Sequence, residues 1–335
     1  MQAQLIALDW GTTSLRAYRL GEHGRVLEQR SLSAGIMQLP TLPAPVAGQL
    51  CSDGFELAFE QACGDWLEAQ PHVPVIACGM VGSAQGWQEA PYQDTPASVD
   101  GLSAALVKVR SLRGIDVHII PGVIQRSALP NVMRGEETQV LGVLAGQVER
   151  PHDTQPLLIG LPGSHSKWVQ VVQGRIVHFD TFMTGEVYAA LCAHTLLGRT
   201  MQSAGSLDVE AFERGVAVAR SSEGAAGPLS TIFSCRTLGL TGQLSGSAQP
   251  DYLSGLLIGH ELAALSHLLQ RQAAVLPAVV LIGSDALCQR YQRALALCGF
   301  PTVTLAGQAT ERGLWQVAQQ AGLLAPTPVS LINEV

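Results

Sequence analysis

Residues Gln4–Arg16 read QLIALDWGTTSLR: an apolar run that ends in Asp9, a Gly11-Thr12-Thr13-Ser14 turn, and then Leu15-Arg16. This stretch predicts a β-hairpin whose tip offers backbone N–H groups, hydroxyls and one carboxylate at a single point. Turn N–H groups form an anion-binding nest. Mg²⁺ prefers one or two carboxylates supplemented by phosphate oxygens and water. The tip therefore suits a phosphate group with a metal ion at Asp9. A plain hairpin with a polar turn is the alternative reading of the same residues.

The pattern recurs. Strands are expected at 4–10, 15–20 and 25–32, and again at 157–161, 167–172 and 175–182, each set with a small polar turn between its first two strands. Two such meanders about 150 residues apart predict two similar domains. Between and after them the periodicity predicts helices at 54–69, 136–147, 184–197, 251–270, 285–298 and 311–321. Short strands are expected at 73–79, 115–120, 279–282 and 302–305. The class is α/β, with a mixed sheet in each lobe because of the meanders. The lobes are read as 1–125 and 126–335, with the helix from Glu136 crossing between them.

Composition narrows the function. The 335 residues are 47% hydrophobic and 14% charged, which supports a large core and excludes disorder. A formal charge of −7 argues against nucleic acid as the main partner. Seven scattered cysteines, none in a Cys-x-x-Cys pair, fit reduced thiols in a cytoplasmic protein. Neither a signal peptide nor a membrane span is expected.

Several further segments carry chemistry. Leu161–Trp168 (LPGSHSKW) occupies the position of the first turn within the second meander, so Gly163 and Ser164 become a second phosphate loop. Lys167 either neutralises charge there or, by strand alternation, points to solvent. Met133–Gln139 (MRGEETQ) opens a helix with two carboxylates. Such acids commonly just stabilise the helix dipole, but a kinase needs one to accept the acceptor hydroxyl's proton. Glu136 is the better-placed base, with Glu137 second. The loop Cys78–Tyr92 (CGMVGSAQGWQEAPY) offers Met80, Ser83, Trp87 and Tyr92 to a small substrate, the two aromatics as stacking surfaces. Arg134 suits a substrate carboxylate, with Arg16, Lys167 and Arg236 left open for that role. Gly283 and Ser284, at a strand–helix junction, suit a nucleoside.

Together these motifs resemble the ribonuclease-H-like superfamily of sugar kinases, Hsp70 and actin, in order and over nearly the whole chain. Within it, DWGTTSLRAY, ACGMVGSAQGWQEAPY, GEETQVLG, LPGSHSKWV and FSCRTLGL resemble the 2-dehydro-3-deoxygalactonokinase family. That resemblance implies two lobes with nucleotide in the cleft between them. It also implies MgATP-dependent phosphorylation of the terminal hydroxyl of a keto-sugar acid in galactonate breakdown. Asp9 would serve Mg²⁺ and catalysis beside Glu136; Gly11, Thr12, Thr13, Arg16, Gly163 and Ser164 would meet ATP phosphates; Gly283 and Ser284 would meet the nucleoside. Glu136 stands where glycerol-kinase-type enzymes carry Asp. Kinases of related keto acids, a polyphosphate-type hydrolase and a non-catalytic nucleotide switch are the rival readings. The hydrolase needs a basic channel, which 20 Lys+Arg against 27 Asp+Glu does not favour. Whether two copies pair as a homodimer is left open.

Overall fold

The computed structural model describes residues 2–146, 156–203, 205–271 and 276–324. The chain divides into two compact units. The first comprises 1–153, 173–178 and 308–335, and the second 154–172 and 179–307.

The first unit holds a six-stranded mixed sheet in the order Val26–Leu32, Leu15–Leu20, Leu5–Trp10, Val75–Cys78, Asp116–Ile119, Val107–Arg110. Leu5–Trp10 runs antiparallel to Leu15–Leu20 and parallel to Val75–Cys78. Both faces of this central strand are covered, so Leu5, Ile6, Ala7, Leu8 and Trp10 are all fully buried and its sequence is apolar rather than alternating. The helix Gly54–Ala69 packs Phe59, Ala62 and Cys63 into the core beneath the sheet. Asp53 starts that helix, accepting hydrogen bonds at Oδ1 from the N–H groups of Phe55 (2.8 Å) and Glu56 (3.1 Å).

The second unit repeats the plan. The five-stranded sheet runs Arg175–Phe182, Ser166–Val172, Leu157–Leu161, Val279–Leu281, Val303–Leu305, with residues 175–178 of its edge strand counted in the first unit. Leu157–Leu161 is again antiparallel to its meander partner and parallel to the strand on its other side. Trp168, Phe212, Leu262 and Tyr291 fill its core. The duplicated meander expected from the sequence is present, and with it the mixed α/β class. All seven cysteines are free thiols, and among the described residues no helix is long and apolar enough to cross a membrane.

Some expectations change. A boundary after residue 125 would give the helix Glu136–Ala145 to the second lobe, whereas its packing gives it to the first unit. The cause is a close crossing with the last helix, Ala309–Gln320. A Cβ on Gly142 would fall 1.8 Å from the Ala309 carbonyl, and one on Gly313 would fall 1.8 Å from that of Thr138. Residue 147, the expected end of the earlier helix, lies outside the described residues. The helix expected over 184–197 stops at His194. A helix at Val209–Ala219 and the three-residue strands Tyr92–Asp94 and Asn131–Met133 were not anticipated.

Candidate active site

In the first unit the Gly11–Ser14 turn is closed by Gly11 N–H donating to the Ser14 carbonyl at 2.9 Å. Residues 34–37 brace it from one side. Ile36 and Met37 donate to the carbonyls of Gly11 and Thr12, each at 3.0 Å, and Trp10 Nε1 donates to the Ala34 carbonyl at 2.9 Å. Gly35 is required for this approach, since a Cβ there would lie 2.3 Å from Thr13 N. With its carbonyls held, the turn leaves Thr12 and Thr13 exposed. Among the described residues their N–H groups have no partner. A turn of this build can receive anionic oxygens.

Asp9 sits at the end of the central strand, in register with Arg16 across the hairpin and with Cys78 on the other side. Arg16 Nη1 lies 3.3 Å from Asp9 Oδ2, and the two side chains keep 49% and 18% of their exposure. Arg16, expected to meet ATP, is thus tied to Asp9 while half its surface stays open. Burial raises the Asp9 carboxyl above its ordinary 3.8; Arg16 opposes this, and the negative charges of Glu136 and Glu311 reinforce it. A local excess of negative charge around one partly exposed carboxylate suits a divalent cation. Among the described residues no three His, Cys, Asp or Glu side chains converge as a ligand set. The fit is therefore to an ion held by one carboxylate, water and phosphate oxygens, which is the way Mg²⁺ is bound beside nucleotides.

Two glycines bring Glu136 to this end of the sheet. Gly79 (φ +93°) follows the strand Val75–Cys78, and a Cβ on it would lie 2.7 Å from the Trp10 carbonyl. Gly135 (φ +106°) crosses over Gly79, where a Cβ would be 3.2 Å from the Gly79 Cα. Neither position accepts a side chain. The two adjacent acids then part company. Glu137 is fully buried: its Oε2 accepts from Gly135 N–H at 2.7 Å and its Oε1 from Thr138 Oγ1 at 3.0 Å. Burial, reinforced by the Glu136 charge, pushes it up to about 7. Glu136 stays partly exposed, with Oε2 accepting from Arg134 N–H at 3.0 Å. Only Glu136 is open to a substrate.

The loop expected to read the substrate divides as well. Met80 is half-buried at the start of a single 3₁₀ turn and Ser83 is 7% exposed. Tyr92 is 40% exposed, with its ring centroid 4.3 Å from the Arg134 guanidinium carbon. Trp87 does not fit the expected stacking surface. Its ring lies parallel to Phe55 (6.2 Å, 6°), edge-on to Trp10 (5.8 Å) and against Phe59 (5.5 Å). One face is stacked on the core, and the residue as a whole is half-buried.

In the second unit Gly163 and Ser164 form the corresponding turn, with Ser164 exposed. The helix Thr184–His194 begins against it: Glu186 N–H donates to the Ser164 carbonyl at 3.0 Å, and Gly185 leaves no room for a Cβ beside the Gly163 carbonyl. Glu186 also pairs with His165. Lys167 departs from the solvent-facing alternative, being 6% exposed with Nζ donating to Thr181 Oγ1 at 2.8 Å. Gly283 and Ser284 are exposed at the strand–helix junction, and a Cβ on Gly283 would lie 3.6 Å from the Pro162 carbonyl. The junction and the Gly163–Ser164 turn therefore share one end of this sheet.

Beneath that turn lies a buried network that sequence reasoning missed. Ser166 Oγ and Tyr291 OH are 2.9 Å apart, and Glu261 accepts from Tyr291 OH and from Trp168 Nε1, both at 2.7 Å. Burial raises the Glu261 carboxyl. The available signal was the single acid in the largely apolar stretch Leu256–Leu269. A cavity of about 730 Å³ lies beside the same helix, lined by Val187, Leu229, Ile232, Leu257 and Ala264 among others. Its lining is too apolar for phosphate.

The pattern of the family described as 2-keto-3-deoxy-galactonokinase matches residues 9–317, from Asp9 to the last helix. The chain belongs to that family. It is 35% identical over 319 residues to the "Probable 2-dehydro-3-deoxygalactonokinase DgoK1" of Rhizobium meliloti (strain 1021), covering 93% of this chain and 96% of that one. It is 33% identical over 325 residues to the 2-dehydro-3-deoxygalactonokinase of Escherichia coli (strain K12), covering 95% and 98%. A crystal structure from Sinorhizobium meliloti, of a protein assigned as a 2-dehydro-3-deoxygalactonokinase, superposes with a TM-score of 0.79 at 31% identity. It covers 94% of this chain and 98% of that one. For this kinase family the resemblance drawn from the five motifs is upheld.

Proposed function

We propose that this kinase transfers the γ-phosphoryl group of ATP to the terminal (6-) hydroxyl of 2-dehydro-3-deoxy-D-galactonate in galactonate breakdown. The observation that carries the mechanism is the separation of two adjacent acids, one sealed and one open, beside the Asp9 turn. The exposed Thr12 and Thr13 amides and the Gly163–Ser164 turn receive phosphate oxygens, and Gly283 and Ser284 receive the nucleoside. Asp9 would hold Mg²⁺, which when bound would supply charge screening for the phosphates. Glu136 takes the proton of the acceptor hydroxyl as its oxygen bonds to the γ-phosphorus and the bond to the β-phosphate oxygen breaks, releasing ADP. Met80, Ser83, Tyr92 and Arg134 face the acid. We place the reaction in the cytoplasm.

The test is ADP release with MgATP and a panel of 2-keto-3-deoxygalactonate, 2-keto-3-deoxygluconate, galactonate, gluconate and glycerol. Release confined to the first acid is the expected result. Equal release without any acceptor would replace the kinase reading by a hydrolase.

A further inference from the structure

Among the described residues of the first unit six buried side-chain atoms have no hydrogen-bond partner; Arg19 Nε, Glu56 Oε2 and Trp66 Nε1 are scattered singly, whereas Arg134 Nε, Arg134 Nη1 and Ser83 Oγ belong to the segment that bears the expected substrate residues. Buried charged donors are nearly always bonded, because leaving one unmet is strongly unfavourable. An unmet set in a family of acid kinases therefore calls for a missing acceptor. Arg134 is otherwise firmly held. Its Nη2 donates to the Ala90 carbonyl at 2.8 Å, and its Nη1 rests against Gly82, where a Cβ would come within 3.0 Å. Ser83 is the next residue along. The Tyr92 ring covers the guanidinium at 4.3 Å and is itself 40% exposed.

The other three cations considered for the substrate are engaged elsewhere. Arg16 is on Asp9, Lys167 on Thr181, and Arg236 Nη1 donates to the Leu196 carbonyl at 3.1 Å. We infer that Arg134 and Ser83 are the specificity anchor for the carboxylate and neighbouring carbonyl of a 2-keto acid, with Tyr92 as the cover that the acid displaces. The inference rests on the kinase reading above. The guanidinium supplies two charge-assisted donors to the carboxylate and the hydroxyl a third to the keto oxygen. A sugar without the carboxylate leaves the buried cation unmet and is rejected for that reason, since sites built to bond a polar group discriminate hardest against analogues lacking it.

The experiment compares the 2-keto-3-deoxy acid with its carboxylate-free analogue, the 3-deoxy-2-ketose bearing CH₂OH at that carbon. Both are assayed with the full-length wild type, Arg134→Gln and Ser83→Ala. Arg134→Gln is expected to raise the KM for the acid by about 10- to 100-fold, the range for a lost charged hydrogen bond. The KM for ATP stays within about twofold, and the preference for acid over analogue collapses. Ser83→Ala, a near-isosteric change, raises the KM for the acid by about 3- to 10-fold with a melting temperature equal to or above that of the wild type, because an unmet hydroxyl is removed. A hydroxyl kept for structure would lower the melting temperature instead. If Arg134→Gln does not fold, Ser83→Ala carries the test, joined by Arg134→Lys, which keeps the charge and recovers only part of the acid preference. An unchanged KM for the acid in folded variants, or equal losses for acid and analogue, overturns the anchor while the kinase reading stands. A wild type that phosphorylates neither compound overturns that reading and the anchor together.

Discussion

Replacing Glu137 by Gln should reverse sign with pH. The carboxyl rises from an ordinary 4.5 to about 7 in the folded protein, chiefly through burial. Between those values the unfolded chain is ionised while the folded chain keeps its proton. Wild-type stability is therefore full below pH 4.5, falls as pH rises, and levels off above about 7. At about 1.4 kcal/mol for each pH unit, the loss across that window is about 3 kcal/mol. Gln has no charge to bury, so it escapes the loss. Its oxygen can accept from Gly135 N–H while its amide nitrogen donates to Thr138 Oγ1, but the Thr138 hydroxyl proton then loses its acceptor. That costs about 1 kcal/mol at every pH. The variant should be the less stable protein by about 1 kcal/mol at pH 4.5 and the more stable by about 2 kcal/mol at pH 8. Thermal melts of both proteins at half-unit pH steps would show the curves crossing, with a separation of several degrees at pH 8. A separation that stays constant with pH, or a variant still below wild type at pH 8, would refute a buried protonated Glu137.

Glu136→Ala should cut turnover by about 10²- to 10⁴-fold, the usual loss of general-base help; near-wild-type turnover in the ADP assay would remove Glu136 from that role. Asp9→Asn should lower turnover and raise the Mg²⁺ concentration needed for half of it, and an unchanged Mg²⁺ titration would count against Asp9 as the metal side chain. Trp87→Leu should lower stability by about 2–3 kcal/mol through lost aromatic packing and leave the KM for the acid within about threefold. A large KM increase at unchanged melting temperature would return Trp87 to the substrate.

Local signals carried the parts that were legible in the sequence. The two meanders, their polar turns and the Gly-Glu-Glu helix start are each encoded within a dozen residues, and all are present. What escaped depends on residues far apart in the chain. Trp87 sits in a polar loop and reads as a stacking surface, yet its partner ring belongs to Phe55, on a helix 32 residues earlier. The Glu261 network joins Ser166, Trp168 and Tyr291, and no periodicity signals that these polar ends meet. Strand alternation could not settle Lys167, because its oxygen partner is on the neighbouring strand, 14 residues on. The packing of the helix from Glu136 against the last helix was hidden for the same reason: Gly142 and Gly313 look like ordinary helix glycines until the two helices touch.

The adjacent acids show how a buried residue can decide what an exposed one does. Successive helix positions point about 100° apart, so a buried face centred between Glu137 and Thr138 leaves Glu136 at its edge. Thr138, next along, is fully buried, and Glu137 is pinned on both oxygens at the first turn. Glu136 is thereby turned away from the core, on a backbone held over Gly79 by Gly135. The side chain that would touch substrate is placed by its neighbour's bonds as well as by the one it accepts from Arg134 N–H. Glu137→Gln should accordingly leave turnover far closer to wild type than Glu136→Ala does. Equal losses in the two variants would mean that the pair acts as one unit and that burial does not separate their roles.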